Sequence, residues 1–150
     1  GVGRIAELIR PAGYYNVKAR RLHAFLDFLV QGHRGEVKNV AAIGMPFARV
    51  VLLGVHGVGK ETADSMLLYA MDLPVFVVDA YTRRIFSRIG HIRPIAGYDE
   101  VQALFTKLIP EDVPLYNDYH AQIVELGHPR NRSDPGNCGE EELVAPLICV

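Results

Sequence analysis

The chain has 150 residues, of which 49% are hydrophobic and 22% are charged, a composition that suits one globular domain or part of one. Apolar residues recur along its whole length, so intrinsic disorder and collagen-like structure are excluded. No apolar run approaches the ~20 residues of a membrane-spanning helix. We therefore expect neither a membrane span nor a secretory signal.

The net charge of −1 at pH 7 hides an asymmetry along the chain. Residues 1–96 carry 13 Lys and Arg against 7 Asp and Glu, whereas residues 97–150 carry 3 against 10. The basic part favours a polyanionic partner about as much as it favours an ordinary solvated surface.

Periodic apolar residues predict a succession of helices. The first runs from about Asn16 to Gln31 and ends near two glycines, and the second runs from Pro46, which suits a first helical turn, to about Leu53. A third begins at about Lys60. The same spacing predicts helices that include Val101–Leu108 and Tyr116–Val124.

One short segment, Pro74–Val78, has the composition of a strand, but the chain offers no obvious strand to pair with it. We interpret it as a buried extended connection. Asp79 follows it and precedes a short helix that stops at Gly90, whose first amides the carboxylate would cap. These elements predict an all-α fold, with a domain in residues 1–127 and a loop-rich tail in residues 128–150.

A glycine-rich turn joins two of the predicted helices. Gly57 and Gly59 permit backbone angles closed to other residues and leave no side chain between the main chain and a ligand. The amides of the turn and the positive end of the next helix dipole would point outward together, which suits a phosphate. Lys60 adds a mobile charge and Thr62 a hydroxyl. Glycine turns also serve purely steric purposes, and a Walker loop is excluded because Glu61 stands where Ser or Thr would be needed.

Three segments carry a resemblance to a known family: Gly13–Ala19, Val55–Asp64, and Pro74–Tyr81 followed by Arg84. In this order and approximate spacing they resemble the helix-hairpin-helix DNA glycosylases of the endonuclease III superfamily. The resemblance implies an all-α orthogonal bundle that contains a helix-hairpin-helix motif. It also implies excision of a damaged or mispaired base that has been turned out of double-stranded DNA into a pocket. A monomer at the nucleoid in the cytoplasm is expected.

Asp79 is the catalytic residue that the resemblance implies. Breaking the bond between base and sugar builds positive charge on the sugar, and a fixed carboxylate stabilises that charge or orients the attacking water. A helix-capping role for Asp79 is compatible with this. The hairpin is expected to hold the DNA backbone, with a monovalent cation as a possible companion. The residues implied to contact DNA are Tyr14, Lys18, His56, Gly57, Gly59, Lys60, Thr62 and Arg84.

The resemblance also implies which activity is absent. Family members that nick the strand carry a lysine two residues after the second hairpin glycine, and its amine forms a Schiff base with the sugar. Here that position is Glu61, while Lys60 is rotated by about 100° around the helix. We therefore expect a monofunctional enzyme that uses water. The motifs look most like the subgroup related to bacterial 3-methyladenine glycosylases, which implies an alkylated base.

Two departures from the family concern the ends of the chain. Relatives carry helices before the segment that begins here, and the chain starts with Gly rather than Met, so we expect an incomplete catalytic unit. Tyr14 lies where relatives carry a residue that fills the gap left by the extruded base, although an aromatic beside a glycine fits packing equally well.

Many relatives end in four cysteines that bind a [4Fe-4S] cluster. This chain offers Asn131, Cys138 and Glu141 at the first three ligand positions and Cys149 near the fourth, and two thiolates do not hold such a cluster. We predict no cluster and a degenerate tail. Two cysteines also favour a reducing compartment. The histidines show no ligand spacing, so no metal site is predicted, and His120 is interpreted as a core residue.

Two alternatives stay open. One is a bifunctional glycosylase and strand nickase that uses an amine other than one at position 61. The other is a non-catalytic helix-hairpin-helix module that binds DNA without sequence preference.

Overall fold

The computed structural model describes residues 1–128, and every regular element within them is helical. The predicted all-α class is confirmed. Within this range the elements are α1 (Val2–Leu8), a 3-10 turn (Arg10–Ala12), α2 (Tyr15–His33), α3 (Val37–Ala41), α4 (Met45–Leu53), α5 (Lys60–Met71), α6 (Ala80–Arg88), α7 (Tyr98–Leu108) and α8 (Val113–Gly127). None of these helices is both long enough and apolar enough to cross a membrane.

The helix boundaries follow local backbone chemistry. Pro46 lies in the first turn of α4, and α5 begins at Lys60, as the sequence predicts. α2 continues past the expected end at Gln31, because the chain turns only at Arg34, which adopts the left-handed conformation with φ 55°. The amide of Gly35 then donates to the carbonyl of Leu29 at 2.8 Å, which closes the helix end.

The described residues fall into two compact units, one formed by Gly1–Leu73 and one that begins at Pro74. In the first unit α2 packs against α1 and α3, and α5 packs against α3 and α4. Its core consists of fully or almost fully buried apolar side chains from these helices: Ala19, Leu29, Val40, Ala48, Leu52, Ala63, Leu67 and Leu68. Burial of each large side chain stabilises the unit by about 1.5–3 kcal/mol.

The second unit is built around an aromatic cluster. Phe76 stacks on Phe105 of α7 with ring centroids 4.2 Å apart, and Tyr116 of α8 meets Phe76 edge-on at 5.5 Å. Phe86 of α6 packs edge-on against Phe105 at 4.7 Å. The cluster therefore joins three helices to the segment that precedes Asp79.

The segment Pro74–Val78 belongs to no helix or strand, and Val75–Val78 are buried, in agreement with the predicted buried connection. Side chains replace the missing strand partner: Gln102 donates to the carbonyl of Phe76 at 2.7 Å, and the amide of Val78 donates to the hydroxyl of Tyr98 at 3.4 Å. Because buried backbone groups need such partners, these bonds fix the course of the chain into α6.

The predicted tail, residues 128–150, lies outside the described residues apart from His128. The expectations that concern Asn131, Cys138, Glu141 and Cys149, including the absence of an iron–sulfur cluster, fall in that part of the chain and remain predictions.

Candidate functional site

The hairpin between α4 and α5 presents most of the predicted DNA-binding residues at the surface. His56, Gly57, Gly59, Lys60 and Thr62 are all exposed. The amide of Val58 donates to the carbonyl of Val55 at 3.0 Å and closes the turn. Gly59 is the N-cap of α5 and supplies no capping side chain, so the start of this helix keeps the character of an anion site.

Gly57 is required at its position for two reasons. Its φ of 84° lies in the left-handed region, and a Cβ built there would overlap the Cγ and Cδ atoms of Arg21. The stem of Arg21, in α2, therefore lies directly against the hairpin turn. Arg21 belongs to the basic residues of α2, but sequence reasoning did not place it at the hairpin, because the contact joins positions far apart in the chain.

A partly buried ion pair joins the two helices that flank the hairpin. It links the guanidinium of Arg49 in α4 to the carboxylate of Asp64 in α5. The hairpin is thus held on both sides by helices that are tied to each other.

The loop before α2 displays Tyr14 to solvent. Tyr14 is 88% exposed and has a φ of 46°, a left-handed conformation that costs a non-glycine residue about 1–2 kcal/mol. The ammonium group of Lys18, one turn into α2, donates a hydrogen bond to the carbonyl of Ala12, and this bond stabilises the loop. The structure gives Lys18 this local role, and its two remaining N–H groups are still available to a phosphate.

In the second unit, Asp79 is the N-cap of α6, as the sequence predicts. Its Oδ1 atom accepts hydrogen bonds from the amide and the hydroxyl of Thr82, at 2.7 and 2.8 Å. The amide of Asp79 in turn reaches the hydroxyl of Thr82 at 3.5 Å, which completes a capping box. Asp79 is only 8% exposed, so this is a buried carboxylate in a fixed orientation.

The second carboxylate oxygen of Asp79 faces a histidine. The Nε2 atom of His120, in α8, lies 3.6 Å from Oδ2, and the two side chains are each 11% exposed. Burial raises the pKa of Asp79, but the adjacent His120 imidazole and the hydrogen bonds from Thr82 outweigh the effect of burial, so the pKa lies below its ordinary value. Asp79 is therefore ionised at neutral pH.

His120 is buried, as expected of a core residue, but nothing in the sequence indicates that it lies beside Asp79. Apolar spacing identified its helix face alone. The packing of α6 against α8 brings the two residues together, and a single sequence does not display such a long-range contact.

Arg84, which the resemblance places on DNA, has an internal partner. Its guanidinium donates to the carbonyl of Gly127 at 2.6 Å, at the end of α8, and lies over the ring of Tyr81 with 4.9 Å to the centroid. A Cβ at Gly127 would overlap the same ring. The structure thus shows Arg84 closing the α6–α8 contact, and a direct DNA contact stays a prediction.

Residues 1–128 contain no group of three or more His, Cys, Asp or Glu side chains that could hold a metal ion.

Comparison with known proteins gives the chain its family. The model of the HhH-GPD superfamily of base excision DNA repair proteins matches residues 2–111. A protein of Methanocaldococcus jannaschii, named as a candidate DNA repair glycosylase, is 50% identical over 124 residues, which cover 81% of this chain and 56% of that protein.

Solved structures agree in fold. A 3-methyladenine DNA glycosylase of H. pylori bound to 1,N6-ethenoadenine matches 89% of this chain and 65% of its own, with a TM-score of 0.74 and 30% identity. The structure of a non-covalent complex of endonuclease III with DNA matches 95% of this chain and 64% of its own chain, with a TM-score of 0.73 and 25% identity. The chain spans between about half and two thirds of these proteins. It belongs to the HhH-GPD superfamily of base excision DNA repair proteins.

Proposed function

We propose that the chain is the base-excising part of a monofunctional DNA glycosylase that acts on alkylated bases in double-stranded DNA. The observation that carries this proposal is the buried, ionised carboxylate of Asp79, fixed at the start of α6 by Thr82 and adjacent to His120. Such a group is preorganised to respond to charge that develops only during the reaction.

The reaction that suits this carboxylate is hydrolysis of the bond between base and sugar. As the bond breaks, its electron pair leaves with the base and positive charge develops on the sugar. Asp79 stabilises that charge, and a water molecule adds to C1′ while the carboxylate accepts its proton. An alkylated base that is already cationic leaves as a neutral molecule, so the protein needs to supply less stabilisation to the leaving group.

Glu61 supports a monofunctional enzyme. It is exposed in the first turn of α5, at the hairpin position where family members that nick DNA carry a lysine. A carboxylate cannot form a Schiff base with the sugar. Water is therefore the proposed nucleophile.

The hairpin is proposed to grip the DNA backbone. Its exposed glycines let phosphate oxygens approach main-chain amides, and Lys60 contributes charge at the same surface. A monovalent cation is proposed there as well, because carbonyl oxygens of a tight turn are suitable ligands for such ions. The carbonyl of Val55 already accepts the amide of Val58, and this bond shapes the turn that would hold the ion.

The alkylated-base proposal rests on the 30% identity to the H. pylori 3-methyladenine glycosylase. It is tested by offering the protein matched duplexes that contain methylated purines, oxidised pyrimidines or uracil. Release of free methylated purine with intact strands is the expected result. Preferential release from another duplex would overturn the substrate class, and strand nicking would overturn the monofunctional assignment.

A further inference from the structure

The two oxygens of the Asp79 carboxylate have different surroundings. Oδ1 accepts both hydrogen bonds from Thr82 and is occupied by the helix cap. Oδ2 faces Nε2 of His120 at 3.6 Å. The cap thus leaves Oδ2 as the oxygen better placed for chemistry, and His120 lies beside it.

We propose that His120 is a positioning residue, which orients the Asp79 carboxylate through Oδ2. The catalytic consequence rests on the function proposed above. The orientation itself is a property of the folded chain.

The surroundings of His120 make its position rigid. It lies in α8 among buried residues of the same helix: Tyr116 and Ile123 are fully buried, and Tyr119 is 5% exposed. The N-terminus of α8 is capped by Asp112, whose Oδ1 accepts the amide of Leu115 at 2.7 Å. A donor fixed in this way loses little entropy when it meets the carboxylate.

Burial makes the contact effective. Each side chain is 11% exposed, so little water screens the attraction between the imidazole and the carboxylate. A hydrogen bond to Oδ2 requires an N–H group at Nε2 of His120. The direction of the Asp79 pKa agrees, since the neighbouring His120 contributes to lowering it.

Three substitutions separate positioning from packing. His120→Gln keeps an N–H donor near the place of Nε2, His120→Asn carries a donor that is too short to reach Oδ2, and His120→Leu has none. None of the three new side chains is longer than that of histidine, so none of them overfills the site. The melting temperature of each variant identifies those that fold.

The first readout needs no enzymatic activity. The protein is labelled with ¹³C at Asp carboxyl carbons, and the Asp79 resonance is assigned by its loss in Asp79→Asn and titrated. We expect the midpoint to rise in His120→Leu and His120→Asn and to stay near that of the native protein in His120→Gln. An unchanged midpoint in the folded Leu or Asn variant would overturn the proposal.

The second readout is the single-turnover rate of base release at saturating protein. The expected loss is about 10- to 100-fold in His120→Leu, the size of effect that misplacement of a reacting group produces. DNA affinity should be unchanged, and His120→Gln should recover most of the rate. If the native chain releases no base, the proposed function fails, while the carboxyl titration still decides whether His120 positions Asp79.

Discussion

Asp64 of α5 accepts two hydrogen bonds from the guanidinium of Arg49 in α4, from Nε to Oδ1 at 2.6 Å and from Nη2 to Oδ2 at 3.0 Å. The Asp64 side chain is fully buried and that of Arg49 is 23% exposed. The pair spans the helices on both sides of the DNA-binding hairpin. Loss of Asp64 would remove a counterion from the partly buried Arg49 guanidinium, and loss of Arg49 would remove one from the fully buried Asp64 carboxylate.

Asp64→Ala is accordingly expected to lower the free energy of unfolding by about 3–5 kcal/mol, measured by urea denaturation. The exposed pair between Arg93 and Glu100 provides the control, and Glu100→Gln should leave the unfolding midpoint unchanged within error. Equal effects of the two substitutions would contradict a special role for the pair at the hairpin.

The two hairpin glycines are expected to differ in their tolerance of a side chain. Gly57→Ala should destabilise the protein by about 1–2 kcal/mol or more, because φ is 84° and the new Cβ overlaps the stem of Arg21. Gly59 has an extended backbone and open space around the Cβ position, so Gly59→Ala should change stability by no more than about 0.5 kcal/mol. Thermal unfolding of both variants checks this, and similar losses would contradict the geometry of the turn.

The stability of the protein should depend on the ionisation of Asp79. The pKa of this group is lower in the folded state than its ordinary value of 3.8, so the carboxylate contributes stability above that value and loses it as the pH falls through the folded pKa. The stability advantage of the native protein over Asp79→Asn should therefore shrink between about pH 5 and pH 2. Urea denaturation across this range measures it, and an advantage that grows on acidification would contradict the lowered pKa.

Glu61→Lys is expected to introduce covalent chemistry. A lysine at this position supplies the amine that attacks the sugar in strand-nicking members of the family, so borohydride should trap a complex with damaged DNA that the native protein does not form. Glu61→Gln is the matched control, since it removes the charge and adds no nucleophilic amine. Trapping of the native protein to the same extent would show that another amine acts, which is the bifunctional alternative.

Local features of the sequence were sufficient for much of the fold. Asp79 before Ala80 and Thr82 predicts a capped helix because all the groups involved are within four residues of one another. The buried connection before Asp79 follows from five apolar residues with no partner strand. The helices α1 and α3 have only 7 and 5 residues, which is too short for apolar spacing alone to identify a helix.

Long-range partners could not be predicted in the same way. His120 and Asp79 meet through the packing of α6 on α8, and Arg84 meets Gly127 across 43 positions of the chain. Sequence chemistry identifies Arg84 as a cation and His120 as part of an apolar face, but the partner of each depends on tertiary structure. The resemblance therefore identified Asp79, but the residues that surround its carboxylate could be identified only from the tertiary structure.

The most direct test of the account measures release of free base from alkylated duplex DNA by the native chain, by Asp79→Asn and by Asp112→Asn. Asp112 is the N-cap of α8 and, like Asp79 in α6, accepts the amide three residues further on, so its substitution controls for the change of a capping side chain. We predict release without nicking, a loss of about 100-fold or more in Asp79→Asn with DNA binding retained, and near-native rates in Asp112→Asn. Salt-sensitive DNA binding with no base release by the native chain, or full release by Asp79→Asn, would contradict the assignment of catalysis to Asp79.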